Sequence, residues 1–229
     1  MNGTVQAMLA LLYPPKCVFC QALLDAPATE QICPSCRQVL PHCRDEQHFS
    51  FLSSCHAVFY YESLVREAIL RYKFQDAAHY SRTLGHLLGD MLQQELAGQF
   101  DLITWVPVSR KRLRSRGYDQ AQLLAQQASL VCGTKPVRLL KKIRNNPRQS
   151  SLQEPALRRA NVQGVYTALQ PAMTAGKRIL LIDDVVTTGS TMSECARVLL
   201  TAGAEQVLGA ALAAYRDDAA AGQEKTEKL

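Results

Sequence analysis

Two kinds of apolar pattern run along the chain and predict its elements. Short apolar runs are typical of buried strands, and they lie at residues 57–61, 102–106, 137–140, 163–168, 179–182 and 206–214. Apolar residues at helical spacing are typical of amphipathic helices, and they cover residues 64–74, 84–98, a stretch that begins near Asp119, and 192–203. Strands that alternate with helices predict an α/β fold built on a parallel sheet.

The segments between these elements are polar. Residues 40–56 lack periodicity and are predicted to be a linker, and residues 171–177 are predicted to be a turn. Residues 141–161 are basic, contain two prolines and are long for a loop, so they are a candidate for a mobile hood over a ligand site. The expected division of the chain is an N-terminal module and linker at 1–50, a main domain at 51–216 and a disordered tail at 217–229.

The strand predicted at 179–182 leads into the stretch with the most distinctive chemistry. Asp183 and Asp184 follow it, and then come Thr187, Thr188, Gly189, Ser190 and Thr191 before a helix. A helix N-terminus attracts phosphate through its unpaired N–H groups and dipole, and glycine lets the backbone approach the anion. Carboxylates would repel a phosphate but accept hydrogen bonds from a diol. The pattern therefore predicts a sugar phosphate, with its diol on the aspartates and its 5′-phosphate in the loop.

Two simpler explanations compete with a sugar-phosphate site. An apolar strand that ends in aspartate also occurs in nucleotide-hydrolysing proteins, but their G-x-x-x-x-G-K-[ST] phosphate loop is absent from this sequence. A buried strand followed by a capped helix requires no ligand, but it does not explain two adjacent carboxylates. We therefore favour the ligand site.

Composition narrows the class of protein. The chain has 229 residues, 47% of them hydrophobic, and no apolar run approaches the length of a membrane span. The apolar patch at residues 8–13 lacks a basic stretch before it, so it is not expected to be a signal peptide. These features predict a cytoplasmic protein, in which cysteines serve as thiols or metal ligands rather than as disulfides.

Four of the eight cysteines form two closely spaced pairs. Cys17 and Cys20 are separated by two residues, as are Cys33 and Cys36, and twelve residues lie between the pairs. This spacing predicts one tetrahedral Zn²⁺ held by four thiolates, which leaves no position for a substrate and is therefore structural. Buried or redox-active cysteines are the alternative, but they do not explain the paired spacing. Cys43 and Cys55 are predicted to be ordinary side chains, with the remnant of a second metal site as the alternative. Cys132 and Cys195 are predicted to be core thiols.

The net charge of +6 is unevenly distributed. Residues 110–159 contain 13 Lys or Arg and two acids, whereas the rest of the chain has 13 basic and 18 acidic residues. Five basic residues lie within positions 110–116, after a strand that ends at Pro107, and are predicted to form a cationic loop. Such a loop can neutralise a pyrophosphate through bidentate arginine contacts. A solvated charge run and a nucleic-acid surface are the alternatives, and Tyr118 is the only aromatic residue that would support stacking.

Together these motifs resemble the ComF family, which includes GntX-like proteins, over almost the whole chain to about Arg216. The loop at residues 183–191 resembles the signature of type I phosphoribosyltransferases, which bind phosphoribosyl pyrophosphate. The other shared motifs are the opening at 12–17, the cysteine pairs, Tyr60, 72–74, 106–108, 116–120, Gln149, Arg158 and Asn161. The family usually has Asn where this chain has Asp119.

The resemblance implies a fold and a set of roles. The fold is a type I phosphoribosyltransferase-like parallel sheet flanked by helices, with a small zinc-ribbon-like module at the N-terminus. Asp183 and Asp184 would hold the ribose hydroxyls and are the candidate catalytic residues, while the loop at 187–191 would cradle the 5′-phosphate. The candidates for the pyrophosphate are Val108 and Ser109, followed by Lys73, Arg112 and Arg116. Mg²⁺ is implied as the ion that shares the charge of the pyrophosphate.

The resemblance also implies a role in natural competence and DNA uptake. One hypothesis is a phosphoribosyltransferase whose acceptor the sequence does not identify. The alternative is a non-catalytic factor of the transformation machinery that binds DNA or senses phosphoribosyl pyrophosphate. Single-stranded DNA and competence proteins are further expected partners, and a homodimer is an expected assembly.

Overall fold

The computed structural model describes residues 14–24, 30–144 and 164–216. Seven helices and six strands lie within these ranges. The helices are α1 (Pro34–Val39), α2 (Ser63–Phe74), α3 (Tyr80–Glu95), α4 (Arg110–Arg116), α5 (Gln120–Cys132), α6 (Pro171–Thr174) and α7 (Ser190–Thr201). The strands are β1 (Cys55–Tyr60), β2 (Leu102–Trp105), β3 (Leu140–Lys142), β4 (Tyr166–Ala168), β5 (Arg178–Val186) and β6 (Gln206–Ala214).

A four-stranded sheet in the order β1-β6-β5-β2 forms the centre of the fold, and all of its pairings are parallel. The two central strands pair over their full length, from Arg178 opposite Gln206 to Val186 opposite Ala214. Every residue of β6 after Gln206 is buried, as expected for a parallel strand covered on both faces. The predicted parallel α/β sheet flanked by helices is confirmed.

Side chains of β5 alternate between the two faces of the sheet. Leu180 and Ile182 join a core with α2, α3 and α5, whereas Ile179 and Leu181 join a second core with α7 and the β3–β4 hairpin. β3 and β4 form a separate two-stranded antiparallel sheet. Both faces of the central sheet are therefore covered, and its carboxyl edge is left to carry polar chemistry.

Helices α3 and α5 approach each other closely at two glycines. A Cβ atom at Gly85 would collide with the Cβ of Gln127, and one at Gly89 would lie 2.7 Å from the Cβ of Val131. The absence of side chains at these two positions lets the helices come into contact along one face.

The N-terminal segment packs onto the helices of the main fold. Cys17, Val18 and Phe19 are fully buried in the same core as α2 and α3. The guanidinium of Arg71 in α2 donates to the carbonyl oxygens of Val18 at 3.1 Å and Phe19 at 2.5 Å. The segment therefore shares a core with the sheet domain, and a domain boundary near residue 50 stays a prediction.

Several element predictions needed correction. The predicted cationic loop is helix α4, the predicted turn at 171–177 contains helix α6, and the predicted linker includes the start of β1. The strand predicted at 137–140 lies at Leu140–Lys142, and the one at 163–168 is shortened to Tyr166–Ala168. Most of the hood region and the tail lie outside the described residues. Among the described helices, none is long and apolar enough to cross a membrane.

Candidate functional site

The two aspartates and the hydroxyl-rich loop meet at the carboxyl edge of the central sheet. β5 extends to Val186, so Asp183 and Asp184 lie within the strand and not after it as predicted. The loop then turns at Gly189, which has a left-handed φ of 66° and precedes the first residue of α7. The N-terminus of a 12-residue helix thus stands directly beyond the acidic strand end, as the sugar-phosphate hypothesis requires.

Asp184 forms an ion pair that the sequence did not indicate. The Nζ of Lys73, at the end of α2, lies 2.9 Å from the Oδ1 of Asp184, and both side chains are largely buried. Lys73 was a pyrophosphate candidate, but the structure places it on the carboxylate expected to bind the ribose. The ion pair holds one oxygen of Asp184, so helix α2 sets the orientation of this carboxylate.

Asp183 is held by the backbone of the next residue. Its Oδ1 accepts a hydrogen bond of 2.8 Å from the backbone N–H of Asp184. Burial, and then the neighbouring charge of Asp184, raise the pKa of Asp183 well above its ordinary value, although Lys73 opposes them. The two adjacent carboxylates therefore have different surroundings: Asp184 is paired with a cation, whereas Asp183 is buried beside a like charge.

The loop hydroxyls bond to each other. The Oγ1 of Thr188 and the Oγ of Ser190 are 2.8 Å apart. A cavity of about 20 Å³ lies against the loop, lined by residues that include Asp183, Thr187 and Gly189 to Met192. That volume suits a single water molecule.

An aromatic side chain from the predicted linker covers Gly189. A Cβ atom at this position would overlap the ring of Phe49. Phe49 packs with Leu52 against the core on the α7 side of the sheet. Glycine is therefore required here by its positive φ and by the ring that lies against it, in addition to any approach of a ligand.

The turn predicted to hold the pyrophosphate is stabilised from within the protein. The backbone N–H of Val108 donates to the Oδ2 of Asp119 at 3.0 Å. The Oγ of Ser109 accepts from the N–H of Arg112 at 3.3 Å and caps α4. Burial, foremost, raises the pKa of Asp119. The carboxylate that replaces the family's usual Asn thus occupies a donor that the pyrophosphate was expected to use.

The two arginine candidates on α4 point in different directions. Arg116 donates to the Oε1 of Gln120 at 2.9 Å, and its guanidinium lies 4.7 Å from the ring centre of Phe74. Arg112 instead lies close enough to Lys142 to lower its pKa, after burial as the larger cause. Arg112 therefore acts electrostatically on the Lys142–Tyr166 pair.

Lys142 was not among the site residues that the sequence predicted. Its Nζ lies 3.2 Å from the phenolic oxygen of Tyr166 on the opposite strand of the hairpin. The charge of Asp183 is felt at both residues. The lysine stands where the predicted hood begins, and the adjacent Lys141 and Lys142 were the available signal.

The four paired cysteines come together as predicted. The sulfur atoms of Cys17, Cys20, Cys33 and Cys36 all lie within 4.8 Å of one another, and none of the four is in a disulfide. The Sγ of Cys17 and of Cys33 each accept a backbone N–H at 3.4 Å. Four convergent sulfurs with N–H donors around them fit a tetrahedral metal, so the cluster could hold zinc. Cys195 is buried in the core, as predicted.

Comparison with known proteins bears on this site. Residues 113–228 match the phosphoribosyl transferase domain family, which is half of the chain and includes the acidic strand end and the loop. Competence protein F of Haemophilus influenzae is 32% identical over 145 residues, which cover 61% of this chain and 63% of that protein. This chain thus spans slightly less than two thirds of that relative.

Other competence proteins match over longer stretches. Competence protein ComFC of Bacillus subtilis is 27% identical over 207 residues, or 85% of this chain and 82% of the relative. ComFC of Streptococcus pneumoniae is 29% identical over 183 residues, or 78% of each chain. Among solved structures, the glutamine phosphoribosylpyrophosphate amidotransferase of B. subtilis aligns at 25% identity with a TM-score of 0.44, covering 62% of this chain and 30% of that one. The chain therefore belongs to the phosphoribosyl transferase domain family and is a member of the ComF family.

Proposed function

We propose that this competence-associated, phosphoribosyltransferase-like protein binds phosphoribosyl pyrophosphate together with Mg²⁺ in the cytoplasm. The observation that carries the proposal is the meeting, at one edge of the sheet, of the Asp183–Asp184 pair with the N-terminus of α7. Acceptors for a diol and donors for a phosphate lie side by side there. All eight cysteines are free thiols, which suits a reducing compartment.

In this proposal each part of the ligand has its own contacts. The backbone N–H groups and hydroxyls of residues 187–191 bind the 5′-phosphate, and Asp184, held by Lys73, accepts from the ribose hydroxyls. Asp183 lies beside it and is the second acceptor. The pyrophosphate is directed toward the turn at Val108 and Ser109, with Arg112 as the basic candidate on α4.

Mg²⁺ would be held mainly by the ligand itself. Apart from the four cysteines, the described residues contain no group of three or more His, Cys, Asp or Glu side chains placed to hold a metal. Mg²⁺ commonly binds through substrate phosphates with one or two carboxylates. When bound it shares the charge of the pyrophosphate, and the acidic pair offers the nearby oxygen ligands.

Phosphoribosyl transfer from this arrangement would break the bond between the anomeric carbon and the pyrophosphate through an oxocarbenium-like state. The protein's contribution would be position and electrostatics. The Lys73–Asp184 pair would fix the ribose, and the Asp184 carboxylate would stabilise positive charge developing on the ring. A sensor that binds the same ligand without turnover needs the same contacts, so ligand binding is the step to test first.

Binding is tested by the melting temperature of the protein with phosphoribosyl pyrophosphate and Mg²⁺. We expect a rise in the wild type, because a ligand that binds only the folded state stabilises it. The double substitution Asp183→Asn and Asp184→Asn should abolish the rise, whereas Asp90→Asn, on the exposed face of α3, should preserve it. The proposal fails if the wild type shows no rise or if the double variant responds equally.

DNA binding is a second candidate function, favoured by the exposed basic side chains of α4. Arg110, Lys111 and Arg114 are exposed on this helix, and a concentrated positive surface attracts a polyanion. This second proposal also includes interaction with competence proteins and assembly as a homodimer. Affinity for a single-stranded oligonucleotide should fall steeply with salt and should weaken when all three are changed to Gln. Binding that ignores both salt and these substitutions would reject it.

A further inference from the structure

Two tyrosines extend the hydrogen bonding of the sheet beyond its strands. Tyr61 is the first residue after β1, and its N–H donates to the carbonyl oxygen of Ala214 at 2.7 Å. Tyr215 is the first residue after β6, and its N–H donates to the carbonyl oxygen of Val186 at 3.1 Å. Since Val186 directly precedes the loop at residues 187–191, both tyrosines stand at the same edge as the proposed ligand site.

The two rings form a stacked pair. Their centroids are 5.1 Å apart, and the ring planes differ by 27°. Tyr61 is partly buried against the core, whereas 49% of Tyr215 is exposed. One ring therefore supports the other, which still presents much of its surface to solvent.

The backbone beneath this pair is held by the next residue. Arg216 lies 3.9 Å from the ring centre of Tyr60 and forms an ion pair of 2.9 Å with Glu62. These contacts tie the end of β6 to the end of β1. The exposed ring is thus on a fixed part of the chain, and a rigid aromatic surface loses little conformational entropy when it binds a ligand.

The pair also lies close to the acidic strand end. After burial and the neighbouring Tyr215, the charge of Asp184 contributes to the raised pKa of Tyr61. A packing role alone would not require the outer ring to stay half exposed beside charged groups. Planar heteroaromatic rings bind such surfaces by stacking, and each base stacked on an aromatic side chain strengthens binding about fivefold or more.

We propose that Tyr61 and Tyr215 form a stacking site for a nucleobase next to the ribose site. The inference rests on the proposed function, because it assigns the class of ring that binds beside phosphoribosyl pyrophosphate. The ring can belong to a free base or to a base in a single strand, since the stacking chemistry is the same. The proposal covers binding alone: it specifies neither a particular base nor a covalent step.

The test uses 2-aminopurine, a base whose fluorescence falls when it stacks on an aromatic ring. It is supplied in two forms, as the free base and within a ten-nucleotide strand of thymidines. We expect quenching by the wild type, a loss of affinity of about fivefold or more in Tyr215→Ala, and affinity within about twofold of the wild type in Tyr215→Phe, which keeps the ring. Quenching of the free base would identify a small-molecule ring site. Quenching of the oligonucleotide alone would identify a base in a strand as the ligand.

The proposed function is measured separately in the same variants. Tyr215→Ala should keep the rise in melting temperature with phosphoribosyl pyrophosphate and Mg²⁺, which also shows that it is folded. If the wild type quenches the probe but shows no rise in melting temperature, the proposed function is rejected and the stacking site is not. The stacking site is rejected if the wild type quenches neither probe, if Tyr215→Ala binds as the wild type does, or if Tyr215→Phe loses as much affinity as Tyr215→Ala.

Discussion

Asp183 and Asp184 show how adjacent residues acquire different chemistry from the alternation of a strand. Asp184 faces α2 and is paired with Lys73, whereas the charge of Asp183 is felt by Tyr166 and Cys195 on the opposite face. A sequence-based interpretation treats the two as one acidic pair. The difference between their surroundings depends on which helix covers each face of the sheet, and the sequence pattern alone does not show that.

The raised pKa of Asp183 makes a prediction about stability. Burial and the charge of Asp184 raise the pKa to about 8 in the folded protein, against about 3.9 for an unperturbed aspartate. Between these values the folded state binds more protons than the unfolded state, so the free energy of unfolding should fall as pH rises toward 8. For one proton the slope is at most about 1.4 kcal/mol per pH unit.

The substitution Asp183→Asn should remove this slope. Urea denaturation at pH 6 and at pH 8.5 measures the change in the free energy of unfolding for each protein. We expect the wild type to lose more stability over this interval than Asp183→Asn, with Asp90→Asn behaving as the wild type. Equal losses in all three proteins would mean that Asp183 titrates normally.

At the scale of elements, helix α4 shows why charge obscured a secondary-structure prediction. The helix has an N-cap at Ser109 and a left-handed C-cap at Gly117, which are ordinary start and stop signals. None of its residues is buried, so the apolar periodicity that marks other helices is missing. The cap residues were in the sequence, but five basic side chains in seven positions favoured a loop interpretation.

The segment before β1 was misjudged for a different reason. It is polar and lacks periodicity, and it was therefore predicted to be a linker. In the structure Phe49 lies against Gly189 and packs with Leu52 on the core, and the N–H of Ser53 donates to the carbonyl oxygen of Val207. Such contacts join residues far apart in sequence, and no local pattern reports them.

What the sequence predicted well has a common physical basis. The strands at β2, β5 and β6 are apolar because both of their faces are buried, and that burial is visible as a continuous run. The cysteine pairs converge, and their spacing, which is typical of zinc sites, is visible in the sequence. The Lys73–Asp184 ion pair and the Val108–Asp119 hydrogen bond could not be predicted, because each depends on how two distant elements pack.

At the scale of the whole molecule, α2 connects the cysteine cluster to the acidic strand end. Arg71 binds the carbonyl oxygens of Val18 and Phe19 within the first cysteine pair, and Lys73, two residues further along, binds Asp184. The cluster is therefore packed against the same helix that orients a proposed ligand contact. Loss of its metal should disturb more than the N-terminus.

We expect metal analysis to return about one zinc per chain, since four thiolates form one site. Chelation by EDTA should lower the melting temperature, because zinc binding supplies folding free energy, and added zinc should restore it. Cys33→Ser should lower the zinc content, while Cys132→Ser, at a cysteine outside the cluster, should not. A full zinc content in Cys33→Ser, or none in the wild type, would contradict the assignment.

The two glycines of α3 affect the position of the neighbouring helix α5. Any side chain at Gly85 or Gly89 would push α5 outward. Helix α5 begins directly after Asp119, whose carboxylate accepts a hydrogen bond from the N–H of Val108. A displacement of α5 should therefore also shift the turn expected to meet the pyrophosphate. We therefore expect the lack of side chains at Gly85 and Gly89 to help position the turn that is proposed to meet the pyrophosphate.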